Sequence, residues 1–273
     1  MKTAILLAVL AVTGEDLAWR VETPLMIVDM SKNPGTGRSG QINTIFYKPA
    51  GVLLTRGVTT STLHLSPNAA PGTRWNGINR WDPPAAYSAA KTKRGFRVER
   101  EGPMPFAPNL YVKTSYEIFS DEPVIAVEES IEARADASLT LMRLCEWSFS
   151  PEAANPFTHI AWADAGGKVT VKKKEKTEDL PLDLRWMAFF NPEKRLGFAA
   201  IVERFEPGKF LWHPASRFAG DPHYFYRGTV LSPDQKPVTV PRGNLCRMRY
   251  TIFLFQPGPG EHALDPVIQR ARP

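Results

Sequence analysis

Several familiar signals are missing from this chain of 273 residues. It has two cysteines, Cys145 and Cys246, and five histidines. Neither cysteine stands at a metal-finger spacing such as Cys-x-x-Cys. There is no Gly-rich phosphate loop, no Gly-x-Ser-x-Gly elbow and no His-Glu-x-x-His. Nucleotide-dependent chemistry and the commonest serine-hydrolase and metalloprotease classes are therefore disfavoured. Helical periodicity is nearly absent. Residues 261–270 allow one short terminal helix, interrupted by Pro266. No repeat of 20–50 residues appears, which argues against a propeller or β-helix. No apolar run reaches the roughly 20 residues a membrane-spanning helix needs.

What is present is strand patterning. Hydrophobic residues make up 43% of the chain and charged residues 23%, a globular balance. The 25 prolines are spread throughout and read as strand punctuation. Leu139, Leu141, Arg143, Cys145, Trp147 and Phe149 alternate with a second set of residues, as one long strand with an apolar face. Tyr111–Phe119 and Val124–Ile131 flank the turn Ser120-Asp121-Glu122-Pro123, as a hairpin would. Further strands are expected at 19–29, 44–47, 51–54, 60–65, 95–101, 168–173, 185–190, 197–204 and 245–255. Residues 30–42 and 66–93 read as the longest irregular stretches. The predicted architecture is all-β: one large, two-sheet, mostly antiparallel sandwich over residues 15–273 with little helix. Cys145, Trp147, Phe149, Phe189, Phe198, Tyr250, Ile252 and Leu254 are its expected core. The two cysteines sit in apolar runs and are open to two readings, a disulfide or two buried thiols.

Residues 1–14 read as a secretory signal. Lys2 is followed by the apolar run Ala4–Val12 and the small residues Thr13 and Gly14. A secreted or periplasmic location is the corresponding expectation. The formal net charge is +6, and Lys2 is the only charge in residues 1–14, so cleavage leaves +5. A basic surface suits an anionic partner. The lysines at 168–176 lack interleaved aromatics and read as a solvated turn, so no nucleic-acid partner is expected.

Three segments have candidate chemistry. Trp75, Asn76, Asn79, Arg80 and Trp81 lie in an expected loop. Flat indoles can stack on sugar C–H faces, while Asn and Arg offer planar hydrogen-bond forks to hydroxyls and carboxylates. The bland alternative is a loop that plugs the sandwich end. His159 stands at a strand start with Trp162 beyond it, where an imidazole could act as a general base or merely be satisfied by its neighbours. The third segment brings together His213, Arg217, Asp221, His223, Tyr224, Tyr226 and Arg227. A phenol near a cation can move a proton. His213, Asp221 and His223 could alternatively bind zinc, but their spacing matches no zinc signature, and neither a metal nor another cofactor is expected.

Glu101-Gly102-Pro103, the Tyr111–Phe119 strand, Glu122-Pro123-Val124-Ile125, Phe157-Thr158-His159-Ile160-Ala161-Trp162, Trp186–Asn191 and Leu196-Gly197-Phe198-Ala199 resemble, as a series, the β-supersandwich of galactose-mutarotase-like proteins. That group includes the sandwich domains of several polysaccharide lyases. The resemblance covers residues 94–256 and is one of strand order. It differs from many such lyases in lacking a preceding helical toroid, and the mutarotase's second catalytic carboxylate has no evident counterpart. It implies a carbohydrate-active protein, with β-elimination on an acidic (uronate) polysaccharide as one activity. A non-catalytic carbohydrate-binding or structural module is the other reading. For elimination, His159 would be the base, Tyr226 the acid, and Arg217 or Arg80 the carboxylate clamp. Trp75, Asn76, Asn79, Arg80, Trp81, Trp162, His223 and Tyr224 would bind the glycan.

Overall fold

The computed structural model describes residues 18–31, 42–54, 62–66, 86–104, 107–139, 141–148, 156–174, 178–181, 183–206, 208, 213–219, 224–230 and 238–272. Among these, twenty strands form four antiparallel sheets. Strands β1 (Ala18–Glu22), β2 (Met26–Ser31), β3 (Ile42–Tyr47) and β4 (Val52–Leu53) make a four-stranded meander. After β5 (Thr62–Ser66) come β6 (Ala86–Lys91), β7 (Gly95–Met104), β8 (Ala107–Phe119) and β9 (Val124–Ala133), each paired with the next from β6 onward. The chain then runs through β10 (Ala137–Leu139), β11 (Leu141–Ser148), β12 (His159–Ala163), β13 (Val169–Lys173) and β14 (Glu178–Asp179). It ends its strands with β15 (Trp186–Asn191), β16 (Leu196–Glu206), β17 (His213–Ala219), β18 (Tyr224–Val230), β19 (Val238–Val240) and β20 (Leu245–Phe255).

The largest sheet has nine strands in the order β13-β12-β15-β16-β20-β9-β8-β7-β6. A five-stranded sheet, β14-β17-β18-β11-β5, faces it, and β10 pairs with β19 in a two-stranded ribbon. Side-chain parity decides which face of the large sheet is apolar. In β9, Ile125, Val127, Ile131 and Ala133 are buried while Glu128 and Glu132 point to water. The inward residues of β8, β16 and β20 join them, and the buried side chains of the four-stranded meander belong to the same core. Trp147 of β11 locks the two larger sheets together, its ring 5.3 Å from that of Phe198 in β16.

A second apolar layer covers the outer face at the other end of the large sheet. Ala161, Ala163, Trp186, Ala188 and Phe190 pack beneath Ala263, Leu264 and Val267. These last three come from a 3₁₀ turn (Gly260–Leu264) and a short helix, α1 (Asp265–Arg270). Pro266 does not interrupt this helix. It stands in the first turn, where its missing N–H has no intrahelical partner to lose.

The all-β sandwich expected from the sequence is the architecture observed, with local differences. The expected single strand Leu139–Phe149 is divided: Leu139 ends β10, which pairs with β19, and Leu141–Ser148 forms β11 of the five-stranded sheet. The stretch 19–29 is a hairpin and not one strand. Thr23 turns the chain, its Oγ1 accepting hydrogen bonds from the backbone N–H of Leu25 and Met26. The irregular stretch 66–93 contains β6. The cysteines are both buried and form no disulfide, which selects the reading of two buried thiols. Of the expected core, Cys145, Trp147, Phe189, Phe198, Tyr250, Ile252 and Leu254 are buried, and Phe149 lies outside the described residues. So do residues 1–14.

Candidate functional site

His159 opens β12, paired in register with Phe190 on one side and Lys173 on the other. Its ring is half-buried and stacks on Phe190, centroids 5.1 Å apart and 25° between planes. Nδ1 lies 2.8 Å from Thr158 Oγ1. By parity His159 shares the outer face of the sheet with Ala161, Ala163 and Phe190. Ile160 and Trp162 point the other way, into the core that contains Trp147 of the five-stranded sheet. Trp162 is 7% exposed, with the Lys172 ammonium 5.6 Å from its ring.

Arg217 and Tyr226 belong to the five-stranded sheet. They stand directly opposite one another in the β17–β18 register, and Tyr224 pairs with Ala219. Directly opposed residues of an antiparallel pair have Cβ atoms about 4.5–5.5 Å apart. Arg217 and Tyr226 are thus register neighbours within one sheet, while His159 stands on the other sheet and on its outer face. Trp75, Asn76, Asn79, Arg80, Trp81 and His223 lie outside the described residues, as does Asp221. Among the described residues, no group of three His, Cys, Asp or Glu side chains is placed to hold a metal ion.

The structure also contains a buried polar centre. Arg100, Thr114 and Glu129 stand side by side in one cross-strand row over β7, β8 and β9, all fully or nearly fully buried. Tyr116 and Tyr250, in the next row, are also completely buried. Glu129 reaches across the sandwich. One carboxylate oxygen accepts the backbone N–H of Cys145 at 2.9 Å, and the other accepts the Tyr250 hydroxyl at 3.3 Å. Arg100 Nη2 donates to the Tyr116 hydroxyl at 3.4 Å.

A bulge makes the first of these bonds possible. The register of β11 slips between Leu144 and Trp147 against β18, and Cys145 takes φ +49°. That conformation is costly for a residue with a Cβ. It turns the Cys145 N–H out of the ladder and towards Glu129 on the facing sheet. Burial, reinforced by the Glu129 charge, pushes the Cys246 thiol up to about 12 and the Tyr250 phenol well above its ordinary range. Both stay protonated at neutral pH. The centre ties the two sheets together through Glu129, and its burial closes it to a ligand.

No protein-family model matches the chain, and no curated protein sequence does. Solved structures do. A candidate mutarotase, YeaD, from Salmonella typhimurium superposes with a TM-score of 0.54 at 9% identity, over 88% of this chain and 90% of that one. A galactose mutarotase-like protein from Lactobacillus casei gives 0.50 at 7% identity, over 87% and 99%. A glycosyl hydrolase family 38 protein from Enterococcus faecalis gives 0.56 at 11% identity, over 92% of this chain and 31% of that one. The fold thus occurs both alone and as one part of a larger protein. At such identities the likeness is one of architecture, and the chain has the galactose-mutarotase-like β-supersandwich fold.

Proposed function

We propose that this protein is an exported carbohydrate-binding β-supersandwich directed at acidic glycans. The observation behind this reading is the near end-to-end match of its fold to two proteins whose names are tied to sugars, the candidate mutarotase and the galactose mutarotase-like protein, over at least 87% of each chain. The Trp75–Trp81 segment adds the residue types that sugar rings require, and the net charge of +6 favours an anionic ligand. The Lys2–Gly14 leader pattern supports a secreted or periplasmic location. Binding without turnover is the form favoured here, because elimination needs base, acid and clamp within a sugar's width of one another. His159 lies on the outer face of its sheet, against Phe190.

One observation favours elimination as a second reading. The Arg217–Tyr226 pairing sets a guanidinium-bearing and a phenol-bearing residue side by side, as carboxylate neutralisation and leaving-group protonation would need. A panel of uronate-containing and neutral polysaccharides distinguishes the readings. Binding without any unsaturated uronate product is expected. Product formation that survives His159→Ala but not Tyr226→Phe would favour elimination through another base. The double variant Trp75→Ala/Trp81→Ala should weaken binding while leaving the unfolding midpoint unchanged. Failure of every glycan to bind would contradict both readings.

A further inference from the structure

The outer face of the large sheet holds a recess of about 410 Å³ over β8, β9 and β20. Two adjacent cross-strand rows form its floor. In one, Ser130 stands between Lys113 and Arg247. In the other, Glu132 stands between Tyr111 and Leu245. Arg134 closes one end, its guanidinium 3.3 Å from the Tyr111 ring centroid. Three cations and one carboxylate therefore line the recess, beside a hydroxyl and two apolar surfaces. Leu245 is 41% exposed, one of few large apolar side chains so open among the described residues.

The cations here are held differently from those elsewhere. Lys113 approaches Glu101 and Glu99 no closer than 3.5 and 3.9 Å. Arg247 stays 3.6 Å from Glu128 and 3.9 Å from Glu206, and Arg134 stays 3.5 Å from Glu132. By contrast Arg20, Lys48, Arg94, Arg97, Arg249 and Arg270 each hold a carboxylate at 2.6–3.2 Å. Charge-assisted hydrogen bonds close to about 2.7–2.9 Å when the geometry is satisfied. Lys113 and Arg247 sit among acids without closing on any of them, and Arg134 donates only a long hydrogen bond of 3.5 Å to Glu132. An incoming anion between Lys113 and Arg247 can make the short contacts that their present neighbours do not.

Resting on the carbohydrate reading above, we infer that this recess is a subsite for an acidic sugar unit. The uronate carboxylate sits between Lys113 and Arg247 over the Ser130 hydroxyl. The ring's C–H face rests on Leu245, and Glu132 accepts from a ring hydroxyl. The site is separate from the Trp75–Trp81 segment in sequence and in the residues it uses. Calorimetric titration with trigalacturonate, and with the same trisaccharide reduced to its neutral alcohol, tests it. The intact protein should bind the acidic form at least about tenfold more tightly, with affinity falling as salt rises, as expected of a charge-assisted contact. Lys113→Ala/Arg247→Ala should lose about tenfold or more towards trigalacturonate, while the charge-keeping Lys113→Arg/Arg247→Lys should retain most of it. All these positions are at least partly exposed, so the unfolding midpoint should not move.

Two results overturn the assignment. One is trigalacturonate affinity within twofold of the intact protein in Lys113→Ala/Arg247→Ala. If Trp75→Ala/Trp81→Ala abolishes binding in the same series, the carbohydrate reading survives and only the recess is wrong. The other is no binding of trigalacturonate to the intact protein. Titration of neutral glycans then shows whether the carbohydrate reading falls with it.

Discussion

Glu129 is a charged residue inside the core. It lies on a central strand, completely buried, and satisfies donors from both sheets. Each buried donor left without an acceptor costs about 1–3 kcal/mol. Glu129→Ala strands two of them, the Cys145 N–H and the Tyr250 hydroxyl, and should lower stability by about 2–5 kcal/mol in urea unfolding. A loss below about 1 kcal/mol would show that the carboxylate is not the tie between sheets. The cysteines give a second check. Burial of Cys145 and the elevation of Cys246 to about 12 leave almost no accessible thiolate at mildly alkaline pH. Thiol labelling should therefore follow the unfolding curve, and rapid labelling of the native protein would contradict this. The polar centre was partly legible in advance. Glu128 and Glu129 are adjacent on a period-two strand, so one of them must take the parity of Ile125, Val127 and Ile131. Arg100 likewise shares the parity of Phe96 and Val98. The bulge at Cys145 was not legible, because nothing in Leu-Cys-Glu-Trp marks a positive φ.

At the scale of elements, alternation located the strands that have one wet and one dry face. Leu245–Phe255 runs over the residues expected, and Val124–Ala133 and Ala107–Phe119 differ only at their ends. Alternation failed for β6. Ser88 to Lys91 are all exposed at the edge of the sheet, so no dry face imprints a pattern. The 18–31 hairpin was missed because one threonine and one proline make the turn without glycine. The terminal helix depends on a clasp. Hydrogen bonding from Arg270 holds the Glu122 carboxyl below its ordinary value of 4.5, against the opposing effect of burial and with help from Arg94. A depressed carboxyl contributes stability that is complete above its ordinary value and fades as pH falls through the folded one. The unfolding midpoint should therefore drop as pH is lowered past 4.5. Glu122→Gln should start lower at neutral pH and fall less steeply. Identical slopes for the two proteins would remove the clasp from the explanation. Trp147→Ala, which empties the contact with Phe198, should cost about 3–5 kcal/mol in the same unfolding assay.

At the scale of the whole molecule, strand periodicity reached an all-β sandwich, since a chain this rich in half-buried strands has few other ways to close a core, and the resemblance to galactose-mutarotase-like proteins implied the supersandwich. The candidate site was less legible. Chemistry depends on which faces meet, and a sequence shows parity within a strand but not the pairing of strands far apart. Arg217 and Tyr226 could be named by type, but their direct opposition needed the β17–β18 register. The recess over β8, β9 and β20 was illegible for the same reason: its two rows join residues more than 130 positions apart. The most direct measurement is equilibrium binding of the intact protein to matched acidic and neutral glycans at low and high salt. Tighter binding of the acidic glycan, weakened by salt and without cleavage, is the expected result. No measurable binding to either glycan at any salt concentration would contradict the proposed function.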